Sequence, residues 1–255
     1  MLAVERQQKI LAIVRDRKSV SLEALSAELA VSGSTVRRDL EQLESTGEIE
    51  RTHGGAVFVG GRDGAPRPYA FDARLQHNVD AKRRIARAAR QLVLPGQTVL
   101  LDGGTTVYYF AEELRGLHVQ IVTNSLAIAG LYDADGSAEV VLTGGIVYPR
   151  YGVLLGPLTE HAIGTLHTQT LFLSPAGVAD GQLYNQNLLL VQTEEKMIRQ
   201  SQQVVVLADS GKFGQQALSR LCALDEVDVL VTDLEPSSAD RRRIDSAGCR
   251  LIIAT

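Results

Sequence analysis

Residues 19–56 read SVSLEALSAELAVSGSTVRRDLEQLESTGEIERTHGGA, and this stretch decides the fold of the first part of the chain. Leu22, Leu25 and Leu29 recur at helical spacing, and Ser21 before them is a suitable N-cap, so a short amphipathic helix is predicted. Residues 30–33 interrupt this pattern, and we expect Gly33 to permit a tight turn. A second helix is predicted after the turn, from inward-facing apolar residues at 36, 40 and 43.

The outer face of the second helix carries the residues of interest. Ser34, Arg37 and Arg38 fall together in its first two turns, whereas acidic residues lie further along. Helix-turn-helix proteins insert this end of the second helix into the major groove of DNA. An ordinary helical hairpin with solvated arginines would explain the two helices equally well. The continuation favours DNA binding, because residues 48–51 predict a strand and His53-Gly54-Gly55 a tight turn, as in a β-wing.

Residues 31–56 resemble the N-terminal signature of the DeoR family of bacterial sugar-catabolism repressors. The resemblance runs without a gap through VS, TVRRDL, the LE pair and the ending RTHGGA. It implies a winged helix-turn-helix that binds double-stranded operator DNA as a dimer or a higher homo-oligomer. By position, it assigns DNA contacts to a recognition helix and a wing: Ser34, Thr35, Arg37, Arg38, Arg51, His53 and Gly54.

Composition sets limits on the function. The 255 residues carry a net charge of −4, and residues 1–57 hold eight Lys/Arg against nine Asp/Glu, so DNA binding must depend on where the charges lie. No apolar run is long enough to cross a bilayer and no signal peptide is recognisable, so we expect a cytoplasmic protein without membrane contact. Cys222 and Cys249 are interpreted as reduced core residues.

The rest of the chain predicts a second, larger domain. Residues 58–68 (FVGGRDGAPRP) are typical of a linker, so we divide the chain into a DNA-binding domain (1–57), a linker (58–78) and an effector-binding domain (79–255). A helix is predicted at 80–93, with its arginines on a solvated face. Short apolar runs then alternate with helical patterns, which predicts a doubly wound α/β fold with about seven buried parallel strands, at 98–102, 119–123, 139–143, 170–174, 204–208, 228–232 and 250–254.

Loops that follow these strands could hold a ligand, since open α/β sheets bind ligands at the carboxyl ends of their strands. Asp102-Gly-Gly-Thr-Thr106 joins a strand to a helix, and its bare backbone, hydroxyls and helix N-terminus favour an anion such as phosphate. A tight structural turn is the alternative. Residues 123–125 and 143–145 end neighbouring strands, and Lys212 lies among glycines at a further strand end, where it could act as a counter-charge.

This half also resembles the effector domain of the DeoR family, through DGGTT, VTNSLAIA, LTGG, DSGKFG and EEKMI. The resemblance implies a ribose-5-phosphate-isomerase-like fold and a phosphorylated sugar as effector. It assigns effector contacts to Asp102, Gly104, Thr105, Thr106, Asn124, Ser125, Gly144, Gly145, Glu195 and Lys212. Many members have serine where Gly103 and Gly211 stand, so the identity of the effector stays open. Four loop residues could line the sugar end or simply pack there: Tyr151, Tyr184, Asn185 and Asn187.

Two functions compete. The first is a transcriptional repressor of a sugar-utilisation operon that a phosphorylated sugar releases from its operator. The second is a sugar-phosphate isomerase-like enzyme carrying a DNA-binding head, with Asp102, Asp180 or Glu195 as base. The DNA-binding head argues against the second function, because a metabolic enzyme has no evident use for one. The five histidines show no metal-ligand spacing and no nucleophile motif is present, so no catalytic residue, metal or cofactor is expected.

Overall fold

The computed structural model describes residues 3–17, 19–45, 49–52, 55–58, 71–133 and 138–254. The chain divides into two compact units, Met1–Ala73 and Arg74–Thr255. No helix within the described residues is both long and apolar enough to span a bilayer.

The first unit is a small three-helix domain with a three-stranded antiparallel sheet in the order β1-β3-β2. Its described elements are α1 (Ala3–Arg17), β1 (Ser19–Ser21), α2 (Leu22–Leu29), α3 (Gly33–Ser45), β2 (Ile49–Thr52) and β3 (Gly55–Phe58). Helices α2 and α3 and the wing strand β2 are as predicted, whereas β3 was not predicted, since Gly55 was assigned to the turn and Phe58 to the linker. Strand β1 was not predicted; it pairs with β3, so that Val20 lies opposite Ala56 and the wing is tied to the helices.

The core of the first unit includes apolar side chains from all three of its described helices. Ile10 and Val14 of α1 pack with Leu25 of α2 and with Val36 and Leu40 of α3, all essentially inaccessible to solvent. Charge adds to this packing, because Arg6 Nε donates to Asp39 Oδ2 at 2.5 Å. The guanidinium of Arg6 therefore forms an ion pair within the domain.

The turn between α2 and α3 differs from the prediction. Ala30, with φ 52°, takes the left-handed conformation there. Gly33 is instead the first residue of α3. Ser32 starts that helix, since its Oγ accepts a hydrogen bond from Thr35 N at 3.3 Å. A Cβ at Gly33 would lie 3.0 Å from Leu22 Cδ2, so a larger residue there would require a small shift of that side chain.

The second unit is an α/β domain. Its helices are α4 (Phe71–Leu75), which includes the division between the units, α5 (Val79–Arg90), α6 (Thr105–Glu113), α7 (Leu126–Tyr132), α8 (Pro157–Gly164), α9 (Leu188–Arg199) and α10 (Ser238–Ser246). Its strands are β4 (Thr98–Leu101), β5 (Gln120–Thr123), β6 (Glu139–Leu142), β7 (Ile146–Tyr148), β8 (Val153–Leu155), β9 (Thr168–Leu173), β10 (Gly177–Ala179), β11 (Gln182–Asn185), β12 (Ser201–Leu207), β13 (Ser219–Ala223), β14 (Val229–Thr232) and β15 (Arg250–Ile253).

Seven strands form one parallel sheet in the order β15-β14-β12-β9-β4-β5-β6, and they are the seven that the apolar runs predict. The chain starts at β4, runs outward through β5 and β6, and then returns to β9 on the other side of β4. From there it continues through β12 and β14 to β15. The order therefore reverses between β4 and β9, and a doubly wound sheet has its ligand crevice at such a reversal.

Apolar layers cover both faces of this sheet. One layer includes Phe110 of α6 against Phe172 of β9, with ring centroids 4.1 Å apart. The other packs α9 and α10 through Met197 and Ile244. Two short antiparallel sheets, β10-β11-β13 and β7-β8, were not predicted. Cys222 and Cys249 are buried free thiols, as expected, and burial raises their pKa to about 12 and about 11.

Candidate nucleic-acid interface and ligand site

Helix α3 presents a polar face at its N-terminal end. Ser34, Arg37 and Arg38 are exposed, while Val36 and Leu40 on the opposite face of the helix are buried. Ser32 Oγ lies 2.9 Å from Ser34 Oγ and 2.8 Å from Thr35 Oγ1, so hydroxyl groups are ordered at the helix start. This is the geometry that a recognition helix needs to meet base edges and phosphates.

The wing is described only in part. Arg51 lies in β2 with its backbone opposite Ala56, but its side chain is outside the described structure. His53 and Gly54, which the sequence assigns to DNA contacts, also lie outside the described residues. Gly55 is needed for close backbone approach, because a Cβ there would overlap the carbonyl oxygen of Val20.

Polar residues follow successive strands at the carboxyl edge of the large sheet. Asp102 follows β4 and Ser174 follows β9, so these two flank the reversal in strand order. Asp209 follows β12 on one side, and Asn124 follows β5 on the other. The loops that the sequence predicts as ligand-binding are therefore neighbours at one edge.

Asp102 is one of the buried groups at this edge. Its side chain is buried, and burial raises its pKa to about 6, even though backbone N–H groups of Gly103, Ser174 and Gly104 bond to the carboxylate and Arg74 attracts it. Gly104 is the N-cap of α6, and a Cβ on it would lie 2.8 Å from Ser174 Cβ. The strand end and the helix start therefore approach too closely for a side chain at this position.

Thr105 and Thr106 form the first turn of α6, and both are buried. The Ser174 hydroxyl donates to Thr106 Oγ1 at 3.4 Å. Thr106 thus contacts the loop after β9, and the N-terminus of α6 follows directly after Asp102. Such an N-terminus attracts anions through its free N–H groups and dipole.

Two lysines lie near Asp209. Burial lowers the pKa of Lys82, on α5, to about 8, and it also lowers the pKa of Lys212, while the charge of Asp209 opposes the shift in both. Asn78 Nδ2 donates to Asp209 Oδ1 at 3.1 Å, and the Lys82 ammonium donates to the carbonyl of Arg74. Lys82 is buried and Lys212 half-buried, and two lysines that share one carboxylate leave a surplus of positive charge.

Arg74 completes this cationic group. Its guanidinium carbon lies 5.1 Å from the centroid of the Tyr151 ring, and Asp102 and Lys212 both interact with it electrostatically. Its Nε and Nη2 are buried and have no hydrogen-bond partner among the described residues. Burial lowers its pKa. Buried donors without partners are rare in folded proteins, and they mark a place where a ligand can bind.

Sequence analysis missed Lys82 and Arg74. Lys82 had a usable signal, because it precedes Ile85, Ala86 and Ala89 at spacings of three, four and seven residues and therefore falls on the buried stripe of α5. The excess of arginine in this helix suggested a solvated face instead. Arg74 lies within the stretch interpreted as a linker, where no period marks it.

The remaining residues that follow strands make hydrogen bonds or adopt special backbone conformations within the domain. Asn124 Nδ2 donates to Leu154 O at 3.1 Å, while its buried Oδ1 has no partner within the described part of the chain. Ser125 is the N-cap of α7 and accepts from Ile128 N. Gly144 and Gly145 have φ 70° and 126°, and Thr159 Oγ1 donates to Gly144 O at 2.7 Å.

Comparison with known proteins identifies both units. Residues 6–60 match the DeoR-like helix-turn-helix domain, and residues 77–234 match the DeoR C-terminal sensor domain. The chain belongs to the DeoR family.

Relatives of full length support this assignment. The chain is 36% identical over 242 residues to YulB of Bacillus subtilis, an uncharacterised HTH-type transcriptional regulator, covering 93% of this chain and 92% of YulB. It is 33% identical over 254 residues to the HTH-type transcriptional regulator GlpR of Haloferax volcanii, covering 99% and 98%. It is 30% identical to GolR of Listeria innocua over the whole of both chains. The chain is a helix-turn-helix transcriptional regulator of this family.

Solved structures with a related arrangement are more distant. Ribose-5-phosphate isomerase A of Methanocaldococcus jannaschii is 20% identical with a TM-score of 0.40, covering 53% of this chain and 55% of that chain. The delta subunit of eIF2B from Chaetomium thermophilum is 16% identical with a TM-score of 0.48, covering 63% and 58%.

One residue that the DeoR resemblance assigns to the effector lies elsewhere. Glu195, on α9, has a side chain 42% exposed and pairs with Arg199 at 3.6 Å. The preceding residue, Glu194, is the buried one, and it interacts with Asp102. Successive residues of a helix point about 100° apart, so only one of the two can face the sheet edge.

The loop residues considered for the sugar end have separate positions. Tyr151 is buried beneath Arg74, and Asn185 is buried and donates to Glu194. Asn187 is the N-cap of α9 and donates to the Tyr148 hydroxyl at 3.0 Å. Tyr184 lies half-buried in β11. Tyr151 and Asn185 are thus connected to the carboxyl edge through Arg74 and Glu194.

Proposed function

We propose that this regulator is a repressor of a sugar-utilisation operon, and that a phosphorylated sugar bound at the carboxyl edge of the large sheet releases it from operator DNA. The observation that carries the proposal is the cationic group of Arg74, Lys82 and Lys212 near the reversal between β4 and β9, in which Lys82 is buried and the other two are half-buried. Two donor atoms of Arg74 there have no hydrogen-bond partner among the described residues.

A phosphate group suits this site. Its charge would offset the burial that lowers the pKa of the three cations. Its oxygens could accept from the Arg74 donors and from free N–H groups at the start of α6, where Gly104 lacks a side chain. Charge-assisted hydrogen bonds of this kind contribute about 1.5–3 kcal/mol each.

Release from DNA would follow from a shift between two populations. If the sugar phosphate binds one arrangement of the protein more tightly, and the operator the other, each ligand lowers the affinity of the other by the same factor. We propose that α3 enters the major groove through Ser34, Thr35, Arg37 and Arg38, and that Arg51, His53 and Gly54 of the wing contact the backbone. A homo-oligomer, dimer or tetramer, would present two such helices to operator half-sites in the cytoplasm.

The test is a thermal-shift screen of the full-length protein against phosphorylated and free sugars, followed by operator titration with each compound that stabilises it. A ligand that binds the native state raises the melting temperature, and the stabilisation grows with the logarithm of the ratio of ligand concentration to Kd. We expect a sugar phosphate to raise it and to weaken operator binding. We expect the unphosphorylated sugar to do neither.

Lys212→Ala and Thr106→Ala separate this proposal from general effects of ligand on the fold. Both variants should bind operator DNA as the wild type does and fail to respond to the sugar phosphate. A matched control is Lys196→Ala, since Lys196 lies on α9 and has no contact with the cationic group among the described interactions. If the Lys212 and Thr106 variants respond normally, the phosphate does not bind here.

The competing proposal is an enzyme. Of the three bases considered from the sequence, Asp180 is exposed and paired with Arg243, and Glu195 is half-exposed and paired with Arg199. Asp102 alone lies at the sheet edge. We propose that the second unit binds its ligand without converting it, which agrees with the relatives being transcriptional regulators.

A further inference from the structure

Glu194 is a buried acid that the proposed phosphate contacts do not use. It lies on α9 with 3% of its surface exposed, and its Oε1 accepts from Asn185 Nδ2 at 2.6 Å. Its Oε2 is buried and has no hydrogen-bond partner among the residues that the structure describes. An unpaired buried carboxyl oxygen costs free energy of folding, so a binding role gives a physical reason for its presence.

One series of electrostatic interactions runs through the site, from a cationic end at Lys82 and Lys212 to an acidic end at Glu194. Lys82 and Lys212 interact with Asp209 and Arg74, Arg74 interacts with Asp102, and Asp102 interacts with Glu194. A phosphate belongs at the cationic end of this series. The acidic end repels a second anion and instead suits uncharged oxygen atoms that share hydrogen bonds.

The surroundings of Glu194 favour the neutral carboxyl group. Burial and the neighbouring charge of Asp102 both raise its pKa well above the ordinary value, and the hydrogen bond from Asn185 opposes them only in part. In the neutral form the proton belongs on Oε2, because Oε1 accepts from the Asn185 amide. Glu194 can therefore supply an O–H donor from Oε2, while Asp102, which interacts with it, supplies a carboxylate acceptor.

We propose that Glu194, oriented by Asn185, determines specificity for the uncharged end of the effector by donating a hydrogen bond from Oε2 to a hydroxyl or carbonyl oxygen. This inference depends on the proposed function, because it assumes that the phosphate of the same molecule lies at the cationic group. The ligand class is a polyhydroxylated monophosphate with an uncharged head. Inorganic phosphate would bind without using Glu194.

Two substitutions test the role. Glu194→Gln keeps the shape, lets Oε1 accept from Asn185 and replaces the O–H donor by an N–H donor. Glu194→Leu keeps a similar volume and removes the donor. Calorimetric titration of the full chain should use ribose 5-phosphate, fructose 1-phosphate, fructose 6-phosphate, glucose 6-phosphate and inorganic phosphate.

For whichever sugar phosphate binds the wild type most tightly, we expect Glu194→Leu to weaken binding about 10- to 100-fold, as for loss of one buried hydrogen bond, and Glu194→Gln to stay within a few-fold. Affinity for inorganic phosphate should be unchanged in both variants. The control Glu195→Leu, one position along on the exposed face of α9, should bind every compound as the wild type does.

Two outcomes of these titrations overturn the inference. Wild-type affinity of Glu194→Leu for the sugar phosphate would show that Oε2 makes no contact with it. Equal weakening for inorganic phosphate would show that Glu194 only supports the fold of the site. A failure of the proposed function looks different, since Lys212→Ala would then bind inorganic phosphate as the wild type does.

A spectroscopic measurement on the unmutated site covers the case in which Glu194→Leu does not fold. Infrared difference spectra of the wild type should show the carbonyl stretch of a protonated carboxylic acid shifting when the sugar phosphate binds. Inorganic phosphate should leave this band in place, and Glu194→Gln should lack it. Absence of any shift with the sugar phosphate overturns the inference.

Discussion

The guanidinium of Arg74 lies over the ring of Tyr151, at 5.1 Å from its centroid. A cation–π contact holds an arginine in place without using its N–H donors, so Nε and Nη2 remain available. Tyr151 is itself fixed, because it is buried and stacks against Tyr148 with ring centroids 5.8 Å apart. The contact between Arg74 and Tyr151 therefore holds two N–H donors, suited to an anion, near Asp102 in the ligand-free protein.

Arg74→Gln should weaken binding of the sugar phosphate by at least about 10-fold, since it removes charge-assisted hydrogen bonds worth about 1.5–3 kcal/mol each. Arg74→Lys should not restore affinity, because a lysine cannot reproduce the planar donor group over the ring. Calorimetric titration measures both. Arg87→Gln, an exposed arginine on α5, is the control and should bind normally. Unchanged affinity in Arg74→Gln would remove this residue from the site.

Binding should weaken as the pH rises through about 8, where Lys82 loses its proton in the free protein. Protonated Lys82 attracts the phosphate, so the bound ligand raises its pKa and the complex takes up protons. Lys212, whose pKa burial also lowers, adds to the same trend. Titration in two buffers of different ionisation enthalpy measures the uptake. Lys82→Gln should bind more weakly at neutral pH and take up fewer protons, and an unchanged uptake contradicts the assignment.

The lowered pKa of Lys82 also affects the stability of the ligand-free protein. The unfolded chain keeps the Lys82 proton up to its ordinary pKa of 10.5, whereas the folded protein releases it at about 8. The unfolded state therefore binds more protons between these values, and the contribution of Lys82 to the free energy of unfolding rises with pH there. Urea unfolding of the wild type and of Lys82→Gln at about pH 7.5 and 9.5 should show the wild type gaining relative to the variant.

The large sheet was predictable because buried parallel strands are continuous apolar runs. Residues 99–101 and 204–207, for example, are recognisable as strands from their apolar composition alone. The order of the strands was not predictable, since apolar runs show which residues are buried and not which strands are neighbours. Short antiparallel strands such as β11, with the polar residues Gln182 and Asn185, were missed because they carry no such run.

Of the candidate ligand site, only the residues in loops that directly follow strands could be predicted from the sequence. Asp102, Asn124 and Lys212 follow strands, so the fold brings them to one edge, although their binding roles stay predictions. Lys82 was missed because its charge outweighed its position on an apolar stripe. The adjacent pair Glu194 and Glu195 shows a further limit, since helical periodicity was not used to decide which of the two faces inward.

Arg37→Ala should weaken operator binding by about 1–3 kcal/mol if the guanidinium contacts a base, and should reduce the slope of affinity against salt by about 1 if it contacts a phosphate. Arg37 is exposed in the first turns of α3, so folding should be unaffected. Anisotropy titration of labelled operator at several salt concentrations separates the two cases. Arg242→Ala, exposed on α10, is the control. Equal affinity of the Arg37 variant and the wild type at every salt concentration would exclude Arg37 from the interface.

The purified protein should not isomerise pentose or hexose phosphates. Isomerisation requires a base that is free to take a proton from a substrate carbon, whereas the Asp102 carboxylate is already held by backbone N–H groups of Gly103, Gly104 and Ser174. Nuclear magnetic resonance in deuterated water measures both product formation and exchange at the carbon next to the carbonyl. Asp102→Asn is the control, because it removes the base and preserves the shape. Turnover or exchange in the wild type that disappears in Asp102→Asn would establish catalysis and reverse the proposal that this site only senses its ligand.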